Sequence, residues 1–327
     1  MSVRITIIGL GQIGGSFGLA LGENKDMFQR VGHDKEPDIA KLAQKLGAVD
    51  QISVNLPASV RNSEVVLLSL PIDQIRDTIE VIAPDLKEDV VLLDTSPVKE
   101  VVTAWAKEFL PPGRHYIGLT PVLNPNYLLV ADSGIGAARA DLFRNGMMGI
   151  VAPPRTPSEA IKLAADLTRI VGATGLFFDP VEVDSLIAAT HILPQLVSAA
   201  LLNSTVDQPG WHEARKIAGR AYASATGPSA QFTDPKALSS SAMLNRENVL
   251  RVIDGLVASL MALRGDIEAE DTQTLQGRLD RARSGRQLWW SQRQTANWEE
   301  EAAAAPEVST GPDMFGRLLG IRRKKKG

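Results

Sequence analysis

Between residue 3 and about residue 180 the chain alternates short runs of Val, Ile and Leu with longer amphipathic segments. The runs RITIIGL, QRVGHD, SEVVLLSLP, DVVLLDTS, RHYIGLTP, GMMGIVAPP and TGLFFDP are apolar on both strand faces rather than on one. Strands of that kind belong to a sheet covered by helices on each side, which is the usual setting of parallel strands. Residues 1–180 therefore predict a doubly wound, mostly parallel α/β domain. After Pro180 the strand runs stop and helical periodicity takes over, at about 181–206, 211–224, 235–270 and 273–295. This predicts a smaller all-helical domain over 181–295. From 296 to 327 the composition turns acidic and rich in Ala, Pro and Ser, then basic, which predicts a flexible tail.

Composition narrows the chemistry more than it enlarges it. The 327 residues carry a net charge of -3, with 44% hydrophobic and 22% charged residues, so no global field draws the chain to nucleic acid. There is no cysteine, which excludes disulfides, thiolate metal sites and a cysteine nucleophile. Four scattered histidines predict no metal site. No run reaches the roughly 18 uninterrupted apolar residues of a membrane span, and the start reads directly as a strand without a leader, so a cytoplasmic location is expected.

The first strand runs into Gly9-Leu10-Gly11-Gln12-Ile13-Gly14, with a helical pattern behind it. In this arrangement Gly9 permits a tight turn, Gly11 lets backbone approach a pyrophosphate, and Gly14 lets helix and strand pack closely. The helix N-terminus then offers free N–H donors to phosphate. A second strand ends in Asp34, twenty residues after Gly14, where a carboxylate takes ribose hydroxyls and repels a 2′-phosphate. The pattern predicts a Rossmann dinucleotide site for NAD in preference to NADP. Leu70 and Pro71, at the end of SEVVLLSLP, fall where strand ends line the cofactor crevice.

At this point the chain resembles the prephenate/arogenate dehydrogenase family, over about residues 3–270. The similarity lies in GLGQIGGSFGLAL, VLLDTSPVK, YIGLTPV followed by GIGAARADLFRNG, VEVDSLIAATHILPQLVSAAL and NRENVLRVIDGLVASL, in that order. The resemblance implies an NAD-dependent oxidation at a ring hydroxyl coupled to loss of a carboxylate, as in tyrosine biosynthesis. It also implies a homodimer built through the helical domains and a small carboxylic acid as substrate.

Several polar groups that the resemblance implies stand out of register. The family's Asp-x-Gly-Ser-Val-Lys lies over Asp94-Thr95-Ser96-Pro97-Val98-Lys99, leaving Ser96 as the available hydroxyl, one residue early. Its strand-end histidine falls on Thr120, and His115 is five residues back, about 16 Å away at 3.3 Å per residue. Its Ser-His-Leu-Pro-His falls on His191-Ile192-Leu193-Pro194-Gln195, with His191 in the place of the serine. One residue is about 100° around a helix, so His191 reaches a cleft only if the helix is locally rotated or bulged. No arginine stands in register with the family's carboxylate clamp; Arg220 and Arg246 are the nearest basic groups, Arg220 in the small-residue stretch AGRAYASATG.

The expected catalytic set is thus His191 for the proton, with Thr120 and Ser96 as hydrogen-bonding hydroxyls and Arg220 or Arg246 for a carboxylate. The alternative is an NAD-binding relative with altered substrate or no catalysis, acting as a sensor or partner subunit. A β-hydroxyacid dehydrogenase would need a lysine in ATHILPQLVSAALLN, which has none. In the tail, Met314, Phe315, Leu318, Leu319 and Ile321 beside the basic run 322–326 suggest weak contact with an anionic membrane surface.

Overall fold

The computed structural model describes residues 2–230 and 234–295. The first half alternates strand and helix as the apolar runs require. In order these are β1 (Val3–Ile8), α1 (Gln12–Leu21), β2 (Phe28–His33), α2 (Pro37–Lys45), β3 (Gln51–Ile52), α3 (Leu56–Val60), β4 (Val65–Leu68), α4 (Ile72–Ile82), β5 (Val91–Asp94), α5 (Glu100–Phe109), β6 (His115–Val122), β7 (Met147–Val151), α6 (Ser158–Ile170) and β8 (Thr174–Phe177). They form one sheet in the order β3-β2-β1-β4-β5-β6-β7-β8. The first six strands are parallel, and β7 runs antiparallel to β6 with Thr120 opposite Gly149. The chain returns from β6 to β7 without a crossover helix, which only an antiparallel neighbour permits. The two-residue β3 is too short for an apolar run to announce it.

Successive residues of one strand feed two cores. Ile7 packs with Phe17, Leu21, Leu163 and Leu167 from α1 and α6, whereas its neighbour Ile8 packs with Ile72, Ile75, Ile79 and Val102 from α4 and α5. That division is the physical reason for uninterrupted apolar strands. Truncating any of these buried side chains to alanine removes about 2–5 kcal/mol.

The second half is helical: α7 (Pro180–Ile187), a π turn (Ala188–Ile192), α8 (Leu193–Val206), α9 (Trp211–Ile217), α10 (Arg220–Ala230), α11 (Pro235–Leu244), α12 (Arg246–Glu268) and α13 (Thr272–Thr295). The helix expected over 235–270 divides at Asn245, whose side-chain amide leaves the helical path to donate to the Asp184 carbonyl at 2.8 Å. The buried core here is small, centred on Ala188, Ile192 and Val249. Leu186, Leu250, Val257, Leu260, Met261 and Leu279 stay exposed, so one chain does not cover this half. The continuous helical stretch Pro180–Val206 is long and apolar enough by length and composition to cross a membrane, although Glu182, Asp184, His191 and Gln195 interrupt its apolar run. The tail over 296–327, with its proposed membrane contact, lies outside the described residues.

Candidate active site

The crevice opens at the C-terminal ends of β1, β4, β5 and β6, where the strand order reverses between β1 and β4. Gly9 leaves β1 with φ +88°, and a Cβ there would fall 2.2 Å from the Ser69 carbonyl oxygen. A Cβ at Gly14 would fall 2.0 Å from the Gly9 carbonyl oxygen, so helix and strand touch at backbone distance. At Gly11 a Cβ would meet nothing within 4 Å, which leaves open space over the start of α1. Gly11 is also the N-cap of α1 and supplies no side-chain cap, so the first N–H groups of the helix, at Gln12 and Ile13, stay available to an anion.

Asp34 sits at the end of β2 and anchors this turn. Its Oδ2 accepts the Leu10 N–H at 2.8 Å and its Oδ1 accepts the Glu36 N–H at 3.0 Å. Leu70 approaches Gly9 from the end of β4, and Pro71 is the N-cap of α4. The turn, the open space and the fixed carboxylate fit a dinucleotide: pyrophosphate over Gly11 and ribose toward Asp34.

Beneath the ends of β5 and β6 lies a buried polar network. Asp94 Oδ2 accepts from Lys99 Nζ at 2.7 Å, from Ser96 Oγ at 2.8 Å and from the Tyr116 hydroxyl at 3.3 Å. Burial pushes the Lys99 ammonium below its ordinary pKa against the pull of Asp94, and burial beside the same carboxylate holds the Tyr116 phenol well above its own. The raised phenol pKa keeps Tyr116 a protonated donor at neutral pH. Gly118 makes room for Lys99 and Tyr116, since a Cβ there would lie 2.7 Å from Lys99 Cδ and 3.1 Å from the Tyr116 hydroxyl. The Ser96 hydroxyl belongs to this network, buried and donating to Asp94.

The network also joins the two halves of the chain. Asp184, buried on α7, accepts the backbone N–H of Lys99 at 2.6 Å and of Glu100 at 3.0 Å, the donors that open α5. Its carboxyl is pushed above the usual range by burial and drawn back by those two N–H groups.

Thr120 lies on the same strand as Tyr116 and Gly118, in buried surroundings, and its Oγ1 has no partner among the described residues. His115 lines a cavity of about 730 Å³ at the opposite end of the sheet, with Lys107 and Arg155. His191 falls inside the π turn, so the helix is bulged at the residue in question. Ile192 packs into the helical core, while His191 is exposed. Desolvation by neighbouring protein atoms lowers the imidazole pKa from 6.5. π turns of this kind occur frequently at functional sites.

Arg220, at the start of α10, and Arg246, at the start of α12, are exposed and make no hydrogen bond or ion pair among the described residues. No hydrogen bond or ion pair among the described residues ties either of them to Thr120 or to the buried network. Sequence reasoning passed over Tyr116 and the capping role of Asp184, because a tyrosine in a strand and an aspartate in a helix look like ordinary core and surface positions.

Two family models cover most of the chain. Residues 17–175 match the nucleotide-binding domain of prephenate dehydrogenase, and residues 179–281 match its dimerization domain. The chain belongs to the prephenate dehydrogenase family. Among curated relatives it is 24% identical over 284 residues to prephenate dehydrogenase of Bacillus subtilis (strain 168), covering 84% of this chain and 73% of that one. It is 25% identical over 272 residues to cyclohexadienyl dehydrogenase of Zymomonas mobilis, covering 82% and 89%. The fold is shared with A. aeolicus prephenate dehydrogenase in complex with hydroxyphenyl propionate and NAD+, at a TM-score of 0.78 and 22% identity, covering 88% of this chain and 98% of that chain. It is also shared with Synechocystis arogenate dehydrogenase, at a TM-score of 0.70 and 21% identity, covering 88% and 100%.

Proposed function

We propose that this protein of the prephenate dehydrogenase family oxidises a cyclohexadienyl acid, prephenate or arogenate, with NAD. The observation that carries the reading is the turn over Gly9–Gly14 with Asp34 fixed behind it and open space at Gly11. Gly9 to Gly14 and the N-terminus of α1 hold the pyrophosphate, and the Asp34 carboxylate receives ribose hydroxyls and disfavours a 2′-phosphate. When bound, NAD supplies the acceptor for the hydride that leaves the ring carbon bearing the hydroxyl.

His191 accepts the hydroxyl proton, for which its lowered pKa keeps the imidazole neutral. The unpartnered Thr120 hydroxyl donates a hydrogen bond to the reacting oxygen; it cannot itself serve as the base near pH 7. Hydride loss leaves a ring ketone whose carboxylate departs as CO2, and its electron pair completes the aromatic ring. Ser96 acts from below, by holding Asp94 and through it Lys99 and Tyr116. Arg220 and Arg246, exposed at the starts of α10 and α12, are the cations that this reading offers to a substrate carboxylate.

The exposed apolar face of the helical half, in a segment that matches a dimerization domain, supports a homodimer. The deciding experiment mixes purified protein and NAD with prephenate and, separately, with arogenate, and follows NADH absorbance. Turnover establishes the reading; NAD binding without turnover of either acid replaces it with a cofactor-binding protein of altered or lost activity.

A further inference from the structure

The end of the sheet opposite the crevice holds a cavity of about 730 Å³, within the size range of small-molecule sites. Strand β6 starts at it with His115 and finishes toward the crevice at Val122, about 23 Å away at 3.3 Å per residue. The cavity is therefore separate from the place where NAD and substrate meet. Its walls are apolar and stiff. Ala106 and Leu110 come from the end of α5, Pro111 and Pro112 from the turn into β6, and Pro153 and Pro154 from the chain that leaves β7. Proline fixes its own φ, so walls of this kind lose little freedom when a ligand settles between them.

Four basic side chains line the same space, Lys107, Arg114, His115 and Arg155, and no carboxylate does. Lys107 and Arg155 make no hydrogen bond or ion pair among the described residues. Arg114 is held by main-chain carbonyls: its Nε and Nη2 donate to Leu86 at 3.1 and 2.8 Å, and its Nη1 donates to Pro112 at 2.8 Å. Those bonds fix the guanidinium without neutralising it. His115 has one carboxylate within 4 Å, Asp89 at 3.8 Å, and the Asp89 side chain is itself almost fully exposed. Arg155 adopts φ +74°, a left-handed backbone that is uncommon outside glycine, and strain of this sort gathers at ligand sites. Three permanent positive charges thus surround one apolar enclosure. We propose that this cavity binds a small dianion with an apolar body. Its two negative charges answer Lys107, Arg114 and Arg155, and its ring or short chain covers the proline walls.

The test titrates the full chain calorimetrically with phenyl phosphate at low ionic strength, with NAD saturating so that the glycine turn is already filled. Phthalate presents the same charge as paired carboxylates, and the tighter of the two probes names the head group. The parent should bind the tighter probe with a Kd of about 1 mM or below, and inorganic phosphate at least about tenfold more weakly, since it leaves the apolar walls uncovered. Lys107→Gln and Arg155→Gly should each weaken the probe by about 3- to 10-fold, and together by about 10- to 100-fold. Neither should lower the thermal midpoint, because Lys107 has no partner to lose and glycine adopts the Arg155 backbone readily.

Absence of saturable binding up to about 10 mM of either probe would overturn the proposal. So would equal affinity in the parent and the double variant, or binding that disappears once NAD is present, which would put the anion on the glycine turn instead.

Discussion

Lys99 places its ammonium 2.7 Å from Asp94 Oδ2 and 2.8 Å from the Asp94 carbonyl oxygen, with neither side chain exposed. Such a pair contributes little net stability compared with apolar residues of the same volume, but breaking it on one side is expensive. Lys99→Met would leave the Asp94 carboxylate with the Ser96 N–H and two hydroxyl donors but no cation, and lower unfolding free energy by about 3–5 kcal/mol. Lys99→Met combined with Asp94→Asn should recover part of that loss, because the buried negative charge is gone. Urea unfolding of the three proteins measures this; a cost below about 1 kcal/mol for Lys99→Met would mean that water reaches Asp94 in solution.

The pH dependence of turnover follows from His191. Its pKa is depressed from 6.5 by burial, so the neutral base persists to a lower pH than for a free imidazole. The acidic limb of kcat/KM is therefore expected below about pH 6.5. The stability sign agrees: the unfolded chain binds this proton more tightly than the folded one. Stability from this group is complete above 6.5 and declines as pH falls from 6.5 toward the folded-state pKa. His191→Asn should cost about 10²–10⁴ in kcat and abolish that limb. A limb unmoved by the substitution would assign the proton to another group.

The glycine turn separates cofactor binding from folding. Gly11→Ala adds a methyl into open space and should leave the unfolding midpoint unchanged, while costing about 1.4 kcal/mol or more of NAD binding, a tenfold weaker Kd. Gly14→Ala drives a methyl to 2.0 Å from the Gly9 carbonyl oxygen and should destabilise the fold itself. Calorimetric NAD titration beside thermal unfolding distinguishes the two. Equal loss of stability in both variants would refute the division of roles.

How much of this was legible in the sequence depends on how local each signal is. The strands of the parallel sheet announce themselves because both faces of each are apolar, and the nucleotide turn because its glycines and Asp34 stand at fixed spacing. The bulge at His191 leaves no trace in composition, since a π turn uses the same residues as an α-helix. The burial of Arg293, whose Nη2 donates to the Leu123 carbonyl, was invisible for a different reason: it is one of several arginines on a largely polar helix, and only packing against a residue 170 positions away distinguishes it. The break at Asn245 was missed likewise, because its cause is the Asp184 carbonyl 61 residues away.

The helical half makes a prediction about assembly that the single chain cannot satisfy alone. On α12, Leu250, Val257, Leu260 and Ile267 recur at intervals of seven, three and seven residues, and all are exposed. That spacing lays them along one side of the helix, in the manner of an interhelical seam. In a twofold interface each substitution acts twice. Leu260→Glu forfeits the burial of two leucines, about 1.5–3 kcal/mol each, before the cost of burying two carboxylates is added. Dimer affinity should therefore fall by about 10²- to 10⁴-fold. Sedimentation velocity at micromolar protein would show a monomer for this variant and a dimer for the parent. A variant that remains dimeric would place the interface on another face, with α7 and α8, where Leu186 is also exposed, the next to be substituted.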